Sequence, residues 1–306
     1  MLIRRAGHIA MRRARLGAQV AVALLAASMS FIPAEATPVV VPMSSDVSVP
    51  NHLSGVNRPN RPSIMVVGDS IPTELMDTIG KEAKKRDLNV VPVAFGGCSV
   101  VGLYQLDEKN HSFTWSARCA TVPQVQSQAI KTYQPSLVVW YSGREKYTVC
   151  TAPTKDGCAA ASKIFPAGSR AQHLLVQKSM VTSFKRLTSK GAKLVIVLPT
   201  PRGLTATGTC AADPTASGCA QDPRDLAAFA WMEKAYLDLA AAFPMKIKTV
   251  TVADLLCPDF DLTTGCPAAE RAGSLIRNDG VHVAPSQEQW FVHNLFNRLQ
   301  ATGFLP

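Results

Sequence analysis

From residue 63 onward, short apolar runs alternate with longer segments rich in helix formers. The runs at 63–67 (SIMVV), 89–94 (NVVPVA), 136–141 (SLVVWY), 193–198 (KLVIVL) and 246–252 (KIKTVTV) read as strands. Between and after them, 71–86, 122–132, 171–190, 225–243 and 286–299 read as helices, with Gly191 as a C-terminal stop for the third. Ser286-Gln287-Glu288-Gln289 has a capping-box pattern and predicts the start of the last helix. Continuous apolar strands separated by helices predict a parallel sheet covered on both faces, an α/β fold of the three-layer α/β/α sandwich type with about five strands. Right-handed crossovers then place the strand C-termini along one edge, where a ligand crevice belongs. The segments 144–169, 201–222 and 257–277 read as loops on the rim of that crevice.

Upstream, the pattern changes. Arg4, Arg5, Arg12, Arg13 and Arg15 precede an apolar, Ala-rich run over 16–32, and Ala34-Glu35-Ala36 supplies small residues at a cleavage position. This is the layout of an export signal over residues 1–36, with Met11 as an alternative start. The apolar run is short for a membrane span, and an uncleaved signal would serve as an anchor. Residues 37–61, rich in Pro, Val, Ser and Asn, read as a linker, which leaves 62–306 as the folded domain. Export predicts a secreted or cell-envelope location, outside the cytoplasm.

Composition and charge narrow the function classes. Of the 306 residues, 47% are hydrophobic and 18% charged, enough apolar content for a sizeable core. The formal net charge is +10, of which the five Arg and one Glu of the signal account for +4. The remaining +6 is spread along the chain with no dense basic tract or aromatic interleaving, so no nucleic-acid partner is expected. Eight cysteines in an exported chain predict disulfides. Cys150 and Cys158, Cys210 and Cys219, and Cys257 and Cys266 lie close in sequence, Cys98 and Cys119 remain, and the pairing stays open. No metal-ligand set and no phosphate-binding Gly loop occurs, so neither metal nor cofactor is expected.

Two short motifs carry chemistry. Gly68-Asp69-Ser70 follows the first strand and opens the first helix. That turn holds the Ser70 hydroxyl clear of the sheet edge and leaves helix-start N–H groups, including its own, to stabilise an oxyanion; Asp69 or Ser70 as a plain helix cap is the bland alternative. Near the other end, Asn278-Asp279-Gly280-Val281-His282 sets an acid and an imidazole three residues apart on a turn. Asp279 can orient one ring nitrogen while the other acts as general base, the activation that a weak serine nucleophile needs. Trp115, Trp140 and Trp290 are offered first to the core and second to a sugar or acyl site.

In these two motifs the chain resembles the SGNH (GDSL-like) hydrolase superfamily, whose first block is Gly-Asp-Ser and whose last is Asp-x-x-His. The resemblance runs over about 64–297. It implies a flavodoxin-like sandwich and a serine esterase or acyl-transfer enzyme with Ser70 as nucleophile, His282 as base and Asp279 as orienter. It also implies an oxyanion-hole glycine after the second strand, where Phe95-Gly96-Gly97-Cys98 stands; Gly97 is the first choice and Gly96 the second. The family's third block, Gly-x-Asn-Asp, is degenerate here. Ser142-Gly143-Arg144-Glu145 lacks the Asn, an oxyanion donor, and Ser142 or Arg144 is the expected substitute. This degeneracy is similar to that of SGNH domains attached to membrane acyltransferases that acylate cell-surface glycans, of which this chain reads as a stand-alone version. The implied partners are an acylated carbohydrate or lipid substrate and a membrane acyltransferase. The competing class is a non-catalytic secreted binding protein on the same scaffold.

Overall fold

A computed structural model describes residues 60–107, 109–113, 116–151, 153–154, 157–158, 162–203, 223–260 and 265–306. The signal segment, most of the linker, His52, Trp115, Cys210 and Cys219 lie outside the described residues.

The chain runs β1 (Ser63–Gly68), α1 (Ser70–Glu74), α2 (Met76–Lys85), β2 (Asn89–Ala94), β3 (Tyr104–Leu106), α3 (Ser116–Cys119), α4 (Val122–Tyr133) and β4 (Leu137–Tyr141). It continues through β5 (Thr148–Cys150), β6 (Pro153–Thr154), β7 (Gly157–Cys158), β8 (Ile164–Phe165), α5 (Arg170–Leu187) and β9 (Lys193–Val197). Last come α6 (Pro223–Ala242), β10 (Ile247–Val250), α7 (Ala253–Leu256), β11 (Glu270–Arg271), β12 (Ser274–Leu275) and α8 (Glu288–Ala301).

Five strands form one parallel sheet in the order β10-β9-β4-β1-β2. Side chains alternate between its faces, and both faces are apolar and covered. One face gathers Met65, Val67, Val138, Trp140, Leu194 and Ile196 against α4, α5 and α6. The other gathers Ile64, Val66, Val139, Val195 and Val197 against α2 and α8. The winding reverses at β1: the next strand in sequence, β2, pairs on one side of it, and β4 pairs on the other. Such a reversal opens a crevice outside the C-termini of the two central strands, because their following loops leave in opposite directions. The loops after β1 and β4 meet there.

The five strands and five main helices stand where the hydrophobic pattern predicts them, with three differences. The helix expected over 71–86 is two, because the chain turns at Leu75, which is buried against the α8 side of the sheet. The last helix starts at Glu288, not at a Ser286 capping box: Gln287 is its N-cap and makes no side-chain cap bond. The Gln287 side chain instead donates to the Arg271 carbonyl at 3.0 Å and accepts from its guanidinium at 3.3 Å. The segment 144–169 is more than loop. Its β5 and β8 join β3 in a small antiparallel sheet, and β6–β7 form a hairpin. These pairings are non-local and too short for periodicity to show. Disulfides join Cys98 to Cys119, Cys150 to Cys158 and Cys257 to Cys266. Each shortens the open excursions of the unfolded chain and stabilises by about 2–4 kcal/mol.

Gly68 ends β1 where no side chain fits. A Cβ there would lie 2.0 Å from the Tyr141 carbonyl oxygen and 2.5 Å from Pro72 Cγ. Gly68→Ala forces β1 and β4 apart at the crevice and is expected to cost about 1–3 kcal/mol, seen as a lower midpoint in urea denaturation. An unchanged midpoint would show that β1 and β4 can separate there without penalty.

Candidate active site

The turn after β1 is built around a buried carboxylate. Asp69 caps α1, its Oδ1 accepting the Ile71 N–H at 3.0 Å, and its Oδ2 accepts the Gly143 N–H at 2.8 Å from the loop after β4. One side chain thus ties together the two loops at the winding reversal. Burial pushes the Asp69 pKa up, and the N–H groups of Gly143 and Ile71 oppose that rise. Ser70 follows as the first residue of α1. A residue in the first turn has no intrahelical partner for its N–H, and among the described residues none engages that of Ser70.

Asp279 and His282 approach from the loop before α8. Asp279 Oδ1 accepts the N–H groups of Val281 at 2.8 Å and His282 at 2.7 Å, an Asx-type turn that fixes the carboxylate. Its Oδ2 lies 2.6 Å from His282 Nδ1, and His282 Nε2 lies 2.8 Å from Ser70 Oγ. With the ring proton on Nδ1, the imidazole donates to Asp279 and accepts from the serine hydroxyl. For Asp279, burial alone would raise the pKa, but the His282 backbone and ring and the Val281 N–H outweigh it and hold the carboxyl below its ordinary range.

This turn is pinned from below. Arg277 is buried and donates to the carbonyls of Pro201 at 2.8 Å and Leu256 at 3.2 Å, and to Cys266 Sγ at 2.7 Å. Burial pushes its guanidinium down to about 10. Gly280 has φ 75°, and a Cβ there would meet the Gly203 carbonyl oxygen at 2.1 Å. Gly203 N–H closes the contact with a 2.6 Å bond to the Gly280 carbonyl.

After the second strand, Gly96 stands beside Ser70. A Cβ on Gly96 would stand 3.9 Å from Ser70 Cβ. The Gly96 carbonyl accepts from Arg118 Nη2 at 2.7 Å, which fixes the plane of its peptide bond. Gly97 N–H lies in that same plane and points away from the carbonyl, and Gly97 itself has φ 82°. Among the described residues no hydrogen bond engages the Gly96 or Gly97 N–H. Ser142 behaves differently from the expectation. It is fully buried, and its hydroxyl donates to Glu145 Oε2 at 2.8 Å and accepts the Arg144 N–H at 3.2 Å, so it is turned into the protein. Arg144 is half-buried, its guanidinium 5.0 Å from the Tyr147 ring centroid, and its charge acts on Asp69.

Residues 44–293 match the family model described as SGNH domain (fused to AT3 domains). The chain belongs to the SGNH family. Among solved structures, this SGNH domain is similar in fold to the periplasmic domain of a lipopolysaccharide acetyltransferase of Salmonella ser. Paratyphi A. That match has 12% identity and a TM-score of 0.50, covering 80% of this chain and 86% of that one. A GDSL-like lipase from Bacteroides thetaiotaomicron matches at 11% identity, TM-score 0.45, over 82% of this chain and 93% of the other. The psychrotrophic esterase EstA of a Pseudoalteromonas species matches at 9% identity, TM-score 0.43, over 78% and 97%. No curated protein matches the sequence.

Three residues of the SGNH site were not singled out in the sequence. Glu74 Oε1 lies 3.3 Å from His282 Nε2, the same nitrogen that faces Ser70. Its place four residues after Ser70, on the same helical face, is the signal that could have found it. Arg277 and Glu145 left little local signal, because Arg277 reaches Pro201 and Glu145 reaches Val100, 76 and 45 residues away in the chain, although Glu145 also accepts the nearby Ser142 hydroxyl. The tryptophans went mostly to structure: Trp140 is buried and donates to Tyr236 Oη at 3.1 Å, and Trp290 stacks under Arg271 at 4.7 Å. The remaining described histidines also have other work. His293 meets Glu82 at 3.0 Å, His111 meets Asp107 at 3.4 Å, and His173 stacks on Trp231.

Arg277→Met keeps the volume and removes every hydrogen bond of the guanidinium. It is expected to destabilise by about 2–3 kcal/mol, because two buried carbonyls lose a charged donor. Thermal denaturation of the oxidised protein checks it, and an unchanged midpoint would mean that the Asp279 turn stands without this support.

Proposed function

We propose that this SGNH domain is an exported serine esterase or acyl-transfer enzyme that works through an acyl-enzyme. The observation that carries the reading is the unbroken chain Asp279 Oδ2, His282 Nδ1, His282 Nε2, Ser70 Oγ, with contacts of 2.6 and 2.8 Å. His282 takes the hydroxyl proton as Ser70 Oγ bonds to the carbonyl carbon of an ester. The carbonyl oxygen becomes an oxyanion held by the N–H groups of Ser70 and Gly97, with Gly96 beside them. Collapse breaks the ester C–O bond, and the departing alkoxide takes the proton from His282. Water or a sugar hydroxyl then gives its proton to His282 and its oxygen to the acyl carbon, which frees Ser70. Water makes an esterase, a sugar hydroxyl an O-acyltransferase.

The substrate class is an O-acylated glycan or lipid of the cell envelope. The export signal over 1–36, the linker over 37–61, the disulfides of the 62–306 domain and the family's fusion to AT3 domains support that setting. They also support a membrane acyltransferase as partner. The Salmonella domain of similar fold is described as part of a lipopolysaccharide acetyltransferase, in keeping with an envelope acyl group. With Ser142 turned inward, Arg144 is the remaining third-block candidate for an oxyanion or substrate contact. The competing reading, a binding protein, draws on that missing donor. Among the described residues no helix is long and apolar enough to cross a membrane.

The test is hydrolysis of p-nitrophenyl acetate by the mature, oxidised protein, together with labelling by a fluorophosphonate probe. Ser70→Ala is expected to lose the label and at least about 10³-fold in kcat. Asp279→Asn should keep KM and lose about 10²–10⁴-fold in kcat, since the imidazole is then free to adopt the wrong tautomer. A correctly oxidised wild type that neither labels nor hydrolyses would favour the binding protein. Separately, N-terminal sequencing of the exported protein is expected to start after Ala36.

A further inference from the structure

The loop after β4 holds a buried carboxyl that the proposed chemistry does not use. Glu145 is 2% exposed. Its Oε1 accepts the Val100 N–H at 3.0 Å, from the loop after β2, and its Oε2 accepts the Ser142 hydroxyl at 2.8 Å. The hydroxyl of Tyr236 on α6 faces the same carboxyl, and it is held in turn by Trp140 Nε1 at 3.1 Å. The Glu145 carbonyl accepts Gln172 Nε2 from α5 at 3.0 Å. One residue therefore gathers β4, α5, α6 and the loop after β2.

Both loops it joins end at Ser70. Two residues before Glu145, the Gly143 N–H holds Asp69. Three residues before Val100 stands Gly97, and one further Gly96, which packs on Ser70. Disulfide Cys98–Cys119 restrains the same stretch from its far side. A family donor is missing at this point, and the carboxyl sits behind it in the loop.

We infer that Glu145 is a positioning residue, a protonatable clamp that holds the loops after β2 and β4 together and so sets the oxyanion side of Ser70 where the third-block Asn is absent. The inference rests on the reading of Ser70 as nucleophile. Val100 and Ser142 give neutral hydrogen bonds, Tyr236 faces the carboxyl from α6, and the charged group acting on it is Asp69, of like sign. Burial first, and Asp69 next among the raising influences, push the Glu145 carboxyl up to about 7 against the pull of Ser142. A carboxyl raised in the folded state favours the neutral form. Its contribution to stability is whole below the ordinary value of 4.5 and is lost as pH rises towards about 7. The clamp loosens over the same interval.

The experiment compares the oxidised, full-length wild type with Glu145→Gln and Glu145→Ala from pH 5 to 9, reading kcat and KM for p-nitrophenyl acetate and the thermal midpoint. Gln copies the shape of the neutral acid and does not ionise. The ratio of its kcat to that of wild type is expected to rise as pH passes through about 7, with the KM ratio flat, and the wild-type midpoint should fall relative to it between pH 5 and 7. Taking the ratio cancels the pH dependence that both proteins share. Glu145→Ala should lower kcat by about 10²-fold below pH 6, the scale of a misplaced reacting geometry, and by less above pH 7, where the wild-type clamp has itself loosened. A kcat ratio independent of pH overturns the inference even if the midpoints differ, since Glu145 is then only a core carboxyl. A wild type that neither turns over ester nor labels with fluorophosphonate overturns the reading of Ser70 and the positioning role with it. Should the Ala variant fail to fold, the Gln comparison still decides.

Discussion

The structure depends on burying both faces of a five-stranded parallel sheet. Every side chain that points up or down from the central strands goes into a core, so polar chemistry has no place on the faces. What is left is the edge at the strand C-termini, and the reversal of winding at β1 makes the gap there. The bare α-carbon of Gly68 lets β1 and β4 approach closely at that gap. Ser70, Gly96 and Gly143 all follow directly from strand ends, and their convergence is a property of the sheet before it is a property of any motif.

Within that frame, buried polar groups act as struts. Asp69 joins the loops after β1 and β4, Arg277 joins three segments under the Asp279 turn, and Glu145 joins the loops after β2 and β4. Each is a charged or titratable group removed from water, tolerable only because its hydrogen bonds are made. The cost of leaving any one unpaired is what gives the loops a single arrangement.

The site itself has an asymmetry at His282. Nδ1 has one carboxylate, fixed by two backbone N–H groups, whereas Nε2 faces both Ser70 at 2.8 Å and Glu74 at 3.3 Å. A hydroxyl oxygen and a carboxylate oxygen thus meet at one ring nitrogen, on the side of α1 that carries both.

Local patterns in the chain were enough to read the sheet, its covering helices and the two motifs from which the site is proposed. Those features are written locally: apolar runs of strand length, helical stretches between them, a Gly-Asp-Ser at a strand end, and an Asp and His three apart on a turn. Local signals failed where the partner was remote. The split of the first helix at Leu75, the small β3-β5-β8 sheet and the clamps that Arg277 makes to Pro201 and Glu145 makes to Val100 follow from groups tens of residues away, and the N-cap at Gln287 from Arg271, 16 residues off. Packing settled these, because a buried polar group takes whichever partner the core brings within reach; even Ser142, whose partners are two and three residues away, turned inward because the carboxyl it meets is buried.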